Sequence, residues 1–415
     1  MGEPRLRFKA DDGSEFPAWE EKTFWDVFAN LTNNTLSREC LNAESGQARN
    51  IHYGDVLVKY GVVVDVQRDG VPFVNPDVEC KRWDCLKDGD VVIADTAEDE
   101  TVGKAVEISN AGSDIVYSGL HTIACRPKEE FAPGYLGNYI NSMSYHDQLR
   151  PYMQGIKVTS VSKTNIGLTH LLVPTLPEQR KISDCLSAVD AVIAAQQAEV
   201  DAWEQRKKGV MQKLFSQEVR FKADDGSDFP KWEEKTLGEY CTQLKASIDP
   251  RKSPNTIFAE YSMPAFDESR KARFVSGREM NSARKILSEP CVLVNKLNVR
   301  KRRIWLVKNP EQNAVCSSEF VPLSSNAINL TFLSYFALTD RFTSYLMDCS
   351  SGSSNSQKRV VPDVILNYVM QIPSLPEQRK IADCLASMDE VIQKSKDELA
   401  KWQELKKGLL QQMFV

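Results

Sequence analysis

The sequence reads LPEQRKISDCL at residues 176–186 and LPEQRKIADCL at 375–385, the same eleven residues but for Ser183 against Ala382. The match runs on. From Pro177 to Phe215 and from Pro376 to Phe414 the two stretches align without a gap, and 19 of 39 positions are identical. Trp203/Trp402 and the Lys-Lys-Gly at 207–209 and 406–408 are among them. The chain therefore contains one structural element twice.

Periodicity makes that element a helix. In the first copy Ile182, Leu186, Val189, Ile193, Gln196, Val200, Trp203, Lys207, Val210 and Leu214 are spaced by alternating steps of four and three. This is the 3.5-residue repeat of a coiled-coil seam. The second copy gives Ile381, Leu385, Met388, Ile392, Ser395, Leu399, Trp402, Lys406, Leu409 and Met413, with its polar interruptions at the same two rungs. Thr175-x-x-Glu178 and Ser374-x-x-Glu377 read as capping boxes, and Pro177 and Pro376 fall in the first turn, where a missing N–H costs nothing. About 38 residues at 1.5 Å each predict a rod of roughly 57 Å. One such helix would expose its seam; two in one chain can bury each other's.

A second repeat orders the rest. RFKADDGSEFPAWEEKT at 7–23 returns as RFKADDGSDFPKWEEKT at 220–236. The chain thus runs short repeat, unique segment, long repeat, and then all three again, with the first unique segment (24–175) 14 residues longer than the second (237–374). Phe215 leads almost directly into Arg220. If the two halves are related by symmetry, Arg7 belongs beside Phe414, the chain is nearly circular, and the helices are antiparallel; the seam's polar rungs by themselves leave a parallel pair open. Short β-branched runs, GDVLVKYGVVVDV, GDVVIADT, KAVEIS and CVLVNKLNV, read as strands. YLGNYINSMSYHDQLRPYM and LTFLSYFALTDRFTSYLMD read as helices leading into polar loops. The expected fold is α+β: two mixed, strand-rich domains held apart by two long helices in an antiparallel coiled coil, with an internal pseudo-two-fold.

Composition excludes several classes. At 42% apolar and 26% charged, the 415 residues are those of a soluble globular protein of more than one domain. The N-terminus lacks the apolar core of a signal peptide, and no apolar run is long enough to cross a membrane. The ten cysteines include no C-x-x-C pair, so a zinc site is not expected, and the reading is of a reduced, cytoplasmic protein. There is no Asn-Pro-Pro-Tyr or Asp-Pro-Pro-Tyr, and Gly103-Lys104 lacks the first glycine of a phosphate-binding loop. The four histidines form no i,i+4 pair, and the Asp95, Glu98, Asp99, Glu100 run reads as a solvated loop.

This arrangement resembles the DNA-specificity subunit of type I restriction–modification systems along essentially the whole chain. The match lies in the paired LPEQRK-x-x-D-x-L helices, in insert ends GIKVTSVSKTNI…VPTLPEQ and GSSNSQKRVVPDVI…IPSLPEQ, and in DGDVVIADTAEDETVGKAVEI. The resemblance implies target-recognition domains over 1–175 and 217–374, each with its short repeat, and spacer helices over 176–216 and 375–415. It implies that each recognition domain reads one half of a bipartite, asymmetric site in double-stranded DNA. The spacer would set the gap and dock two methyltransferase subunits, and two restriction–translocase subunits would complete the complex. The chain itself would be no enzyme and hold no cofactor; S-adenosylmethionine, ATP and Mg would belong to the partners. The alternative is a coiled-coil scaffold joining two protein-binding domains without nucleic acid.

Phosphate contacts need cations, and base readout needs polar side chains at the groove edges. Segment 270–303 holds 11 Lys or Arg against two acids, although the whole chain is −5. Arg284, Lys296, Arg300, Lys301, Arg302 and Arg303 are its candidates, joined by Lys358 and Arg359 beyond a Gly/Ser-rich loop. The first insert carries 13 basic against 20 acidic residues over 24–175, so binding there must rest on a few placed groups. Lys157, Ser160, Ser162 and Lys163 occupy its polar loop, and Lys59, Lys104 and Arg150 are further candidates.

Overall fold

The computed structural model describes residues 4–80, 82–155, 158–354 and 356–414. It divides into two compact units, one of residues 1–197 with 397–415 and one of 198–396. The two long helices, Leu176–Phe215 and Leu375–Met413, are each shared between the units. The four segments read from the sequence describe chain order; the units describe what packs with what.

In the first unit the opening turns of the first long helix lie beside the closing turns of the second, so the two run antiparallel there. Ile182 and Leu186 share one core with Met413 and Phe414 and with Tyr135, Tyr139 and Tyr145 of the first insert. Lys406 reaches Asp190 at 2.6 Å. The second unit repeats the arrangement. Ile381, Leu385 and Met388 pack with Leu214, Trp203 and Val210 and with Phe332 and Phe336, and Lys207 meets Asp389 at 2.5 Å. The polar rungs Lys207 and Lys406 are thus each matched by an aspartate of the facing helix. The remaining seam positions, Val189, Ile193, Gln196, Val200, Ile392, Ser395, Leu399, Trp402 and Leu409, are buried or half-buried.

The reason for repeating LPEQ together with the short repeat is a buried clamp. Glu178 is fully buried, and its carboxylate accepts from the Arg7 guanidinium at 3.0 and 2.8 Å and from the Trp19 indole at 3.1 Å. Glu377 does the same with Arg220 (3.0 and 2.7 Å) and Trp232 (3.1 Å). The next residue ties in the insert. The Gln179 amide accepts from Ala132 N and donates to Pro174 O, and Gln378 accepts from Asn329 N and donates to Pro373 O. The capping boxes expected at Thr175 and Ser374 are not formed: both hydroxyls are buried without a hydrogen-bond partner. The glutamates instead neutralise distant arginines. Removing one partner strands a buried charge, at a cost of about 3–5 kcal/mol. Glu178→Ala should therefore lower the unfolding free energy of the first unit, read from urea denaturation, by that order, and Glu377→Ala that of the second.

Each insert begins and ends at one place. Glu20–Thr23 pairs antiparallel with His170–Val173, and Glu233–Thr236 pairs with Val369–Ile372. The chain's start is placed as symmetry requires: Leu6 N donates to Gln412 O, as Val219 N donates to Lys213 O at the repeat-equivalent position.

Each insert contains a sheet of equivalent construction. In the first, Val91–Ala94 lies between Thr122–Pro127 and Ala105–Ser109; in the second, Cys291–Asn295 lies between Phe320–Ser324 and Ile304–Val307. Each has a second sheet: one of four strands in the first unit, and one of five, ending at the edge strand Arg273–Ser276, in the second. One strand expectation was wrong. Gly54–Val58, read as the start of a strand, lies in the helix Tyr53–Val58, with a strand only from Val63. Tertiary caps override its β propensity. His52 Nδ1 accepts from Gly54 N at 3.1 Å, and Asp55 is ion-paired with Arg38. Lys104 holds the last carbonyls, as described below.

Candidate nucleic-acid interface

The two sheets carry an equivalent hairpin whose loops have opposite charge. Residues 95–104 connect Val91–Ala94 to Ala105–Ser109 and hold Asp95, Glu98, Asp99 and Glu100 against Lys104. Residues 296–303 connect Cys291–Asn295 to Ile304–Val307 and hold Lys296, Arg300, Lys301, Arg302 and Arg303 with no acid. In both units the polar loop before the long helix closes on this hairpin. Val161 N donates to Asp95 O at 2.9 Å, and Val360 N donates to Lys296 O at 3.0 Å. Asn298 N also donates to Lys358 O at 2.8 Å. Two cationic segments that lie 50 or more residues apart in sequence thus become one surface in the second unit.

Not every candidate points outward. Arg303 is 7% exposed, with its guanidinium forked onto Asp267 at 2.8 and 2.5 Å. Arg302 donates to Leu338 O at 3.0 Å and to Asp340 at 2.6 Å, on the wall of a cleft of about 640 Å³ beside the first long helix. Arg284 pairs with Glu260 at 2.7 Å, and Arg359 forks onto Glu319 at 3.2 and 3.1 Å. Lys296 and Lys358 are half-buried, whereas Arg300 and Lys301 are exposed and unpaired among the described residues. Of the four consecutive cations, Arg300 and Lys301 are thus exposed and Arg302 and Arg303 are braces. Asn298 and Arg302, both with φ near +50°, bracket the short helical turn Val299–Lys301 and set it off from the strands.

The first unit is similar in kind. Lys104 precedes its strand as Arg303 precedes its own, and it too is a brace: the ammonium donates to Leu57 O at 2.9 Å and Tyr60 O at 3.2 Å. Burial pulls its pKa below the usual lysine range. These contacts spend a charge expected at the surface. Lys59 is exposed, with its ammonium on Gly70 O, and Arg150 is exposed within 3.4 Å of Asp147. Ser160 pairs with Thr96 in a short ribbon with its side chain exposed. The Ser162 hydroxyl caps the helical turn Lys163–Ile166, accepting from Asn165 N at 3.1 Å, and Lys163 is half-buried. Lys157 lies outside the described residues.

Sequence reasoning did not single out Lys271, Arg273 and Phe274, which lie at the exposed sheet edge. Their signal was an aromatic interleaved with cations. Among the described residues no His/Cys/Asp/Glu group could hold a metal ion, and no helix is long and apolar enough to cross a membrane.

No family model matches the chain. Among curated proteins it is 24% identical over 285 residues to the type I restriction enzyme MjaVIII specificity subunit of Methanocaldococcus jannaschii, covering 63% of this chain and 65% of that one. It is 24% identical over 263 residues to the putative MjaX specificity subunit of the same organism, covering 60% and 59%. The matches thus span less than two thirds of these relatives' length. Among solved structures, the type I restriction–modification S subunit from M. genitalium superposes with a TM-score of 0.56 at 13% identity, over 100% of this chain and 99% of that one. A chain from a study of complex assembly and conformational transition in the type I system gives 0.59 at 15% identity, over 96% and 98%. The curated relatives are specificity subunits matched over part of their length, and the solved structures share this chain's fold over nearly its full length.

Proposed function

We propose that this chain, which shares its sequence pattern and whole fold with the specificity subunits of type I restriction–modification systems, is the DNA-reading member of such a complex and performs no chemistry itself. Each head reads one half of a bipartite, asymmetric site. The shared helices set the gap and, with the adjoining framework, dock two methyltransferase subunits; two restriction–translocase subunits complete the assembly. S-adenosylmethionine, ATP and Mg act in those partners. The observation that carries this reading is one framework, clamped twice by Glu178 and Glu377, that presents two unlike heads. A duplicated enzyme would repeat its chemistry; this chain repeats its mounting and varies what is mounted.

The charge contrast between the hairpins supports an unequal division of DNA contact between the heads. In the second, Arg300 and Lys301 meet phosphate beside Lys296 and Lys358. In the first, contact rests on Ser160, Ser162, Lys163, Arg150 and Lys59. Each lost phosphate contact removes about 0.9 from the slope of log affinity against log salt. The variant Arg300→Ala/Lys301→Ala should therefore flatten that slope by about 1.8 without loss of stability. Arg302 and Arg303 are left intact because their removal would unpin the hairpin. An unchanged slope would take this turn off the interface. Mobility shift of a random-sequence duplex library, with the purified methyltransferase present, tests the function itself. Retention of DNA is expected, and a methyltransferase-bound chain that retains none would favour a scaffold of protein-binding domains.

A further inference from the structure

The helix Met263–Glu268 leads through Arg270 and Lys271 into Arg273–Ser276, the edge strand of the five-stranded sheet. One side of that strand pairs with Ile257–Tyr261, and the other has no strand partner among the described residues. Phe274 on it is 68% exposed. Lys271 and Arg273 are exposed and make no ion pair among the described residues. The Arg270 guanidinium lies 4.9 Å from the centre of the Phe266 ring.

Two contacts fix this segment beside the hairpin of the proposed interface. Arg303 grips Asp267 with both guanidinium arms, and Phe266 packs edge-on against Trp305 with ring centres 5.4 Å apart. The hydrogen bonds from Arg303 hold the Asp267 carboxyl below its usual range, with a smaller contribution from the charge of Lys301. The first unit has the same construction. Its helix Tyr53–Val58 is pinned by Lys104, and it ends in Val58, 86% exposed, followed by Lys59.

Cations alone would guard an open strand edge against pairing with another chain. An exposed phenylalanine next to them adds nothing to that guard. In the grooves of DNA, apolar side chains flanked by cations have a use: they pack against bases and sugars while the cations take phosphates. We infer that Arg270–Phe274 is a second DNA-contacting element of the second head, with Lys271 and Arg273 on phosphates and Phe274 against base or sugar in the groove. This rests on the DNA-reading function proposed above.

The test is fluorescence anisotropy of the chain, complexed with its methyltransferase, on a duplex carrying its methylated target, over a range of salt. Phe274→Ala should weaken binding about tenfold, through loss of an apolar contact in the groove, and leave the salt slope unchanged. Lys271→Ala/Arg273→Ala should flatten the slope by about 1.8. Phe274→Leu, which stays apolar, should recover part of the lost affinity, and a matched melting temperature shows that the variants fold. If the parent binds and the variants match it in affinity and slope, the inference is overturned and the function stands. If the parent binds no duplex, both fall. If Phe274→Ala instead abolishes self-association and leaves DNA affinity intact, the edge belongs to a second copy and the inference is overturned.

Discussion

A chain in which residues 24–175 are replaced by the corresponding insert of a relative should direct methylation to a site changed in one half and unchanged in the other. The exchange is structurally permitted because the insert leaves and rejoins the framework at one antiparallel ribbon, Glu20–Thr23 on His170–Val173. Beyond that ribbon the insert touches the framework chiefly through contacts the framework repeats. Gln179 takes a backbone N–H from the first insert as Gln378 does from the second. The new insert must supply that amide and an aromatic cluster like Tyr135 and Tyr139 around Phe414. Affinity for the parental site should fall about a hundredfold or more, since each mismatched base pair costs about 1–3 kcal/mol. Binding assays on the four combinations of old and new half-sites would read this directly. A simultaneous change in both halves would mean that the heads do not read separately.

The second large effect is expected from lengthening the helices. One heptad inserted between Gln196 and Gln197, and another between Ser395 and Lys396, keeps the 3.5-residue seam and adds about 10 Å of helix. Both points lie beside the boundary between the units, so neither cuts a head core. At roughly 3.4 Å per base pair the preferred gap should widen by about three base pairs. Three base pairs also rotate the duplex by nearly a third of a turn. The lengthened chain should therefore bind even a widened site poorly unless the DNA twists or the heads swivel. The half-site sequences should not change. Methylation over targets with graded gaps reads the outcome, and an unchanged optimum at full activity would show that the helices do not set the spacing.

How much of this was legible depended on the range of each interaction. The long helices could be read because a 3.5-residue period is a local pattern, and Lys207 and Lys406 marked rungs that proved to face Asp389 and Asp190. Glu178 was misread as a local cap because its partners, Arg7 and Trp19, lie 171 and 159 positions away. Gly54–Val58 was misread as strand for the same reason, since the ion pair and caps that make it helical come from Arg38 and Lys104. Segment 270–303 was correctly seen as cationic. Which of its cations turn outward depends on acids at Glu260, Asp267 and Asp340, and no spacing rule reports those. Phe274 carried a visible signal, an aromatic among cations. Its exposure became apparent only when its strand was placed at a sheet edge.

The most direct test of the whole account is methylome sequencing of a host that carries this chain with its methyltransferase, compared with the same host lacking the chain. The account predicts one new methylated motif, asymmetric and in two specified halves separated by a fixed unspecified gap, that disappears when the chain is removed. A methylation pattern that is the same with and without the chain, in cells where the two proteins copurify, would contradict it.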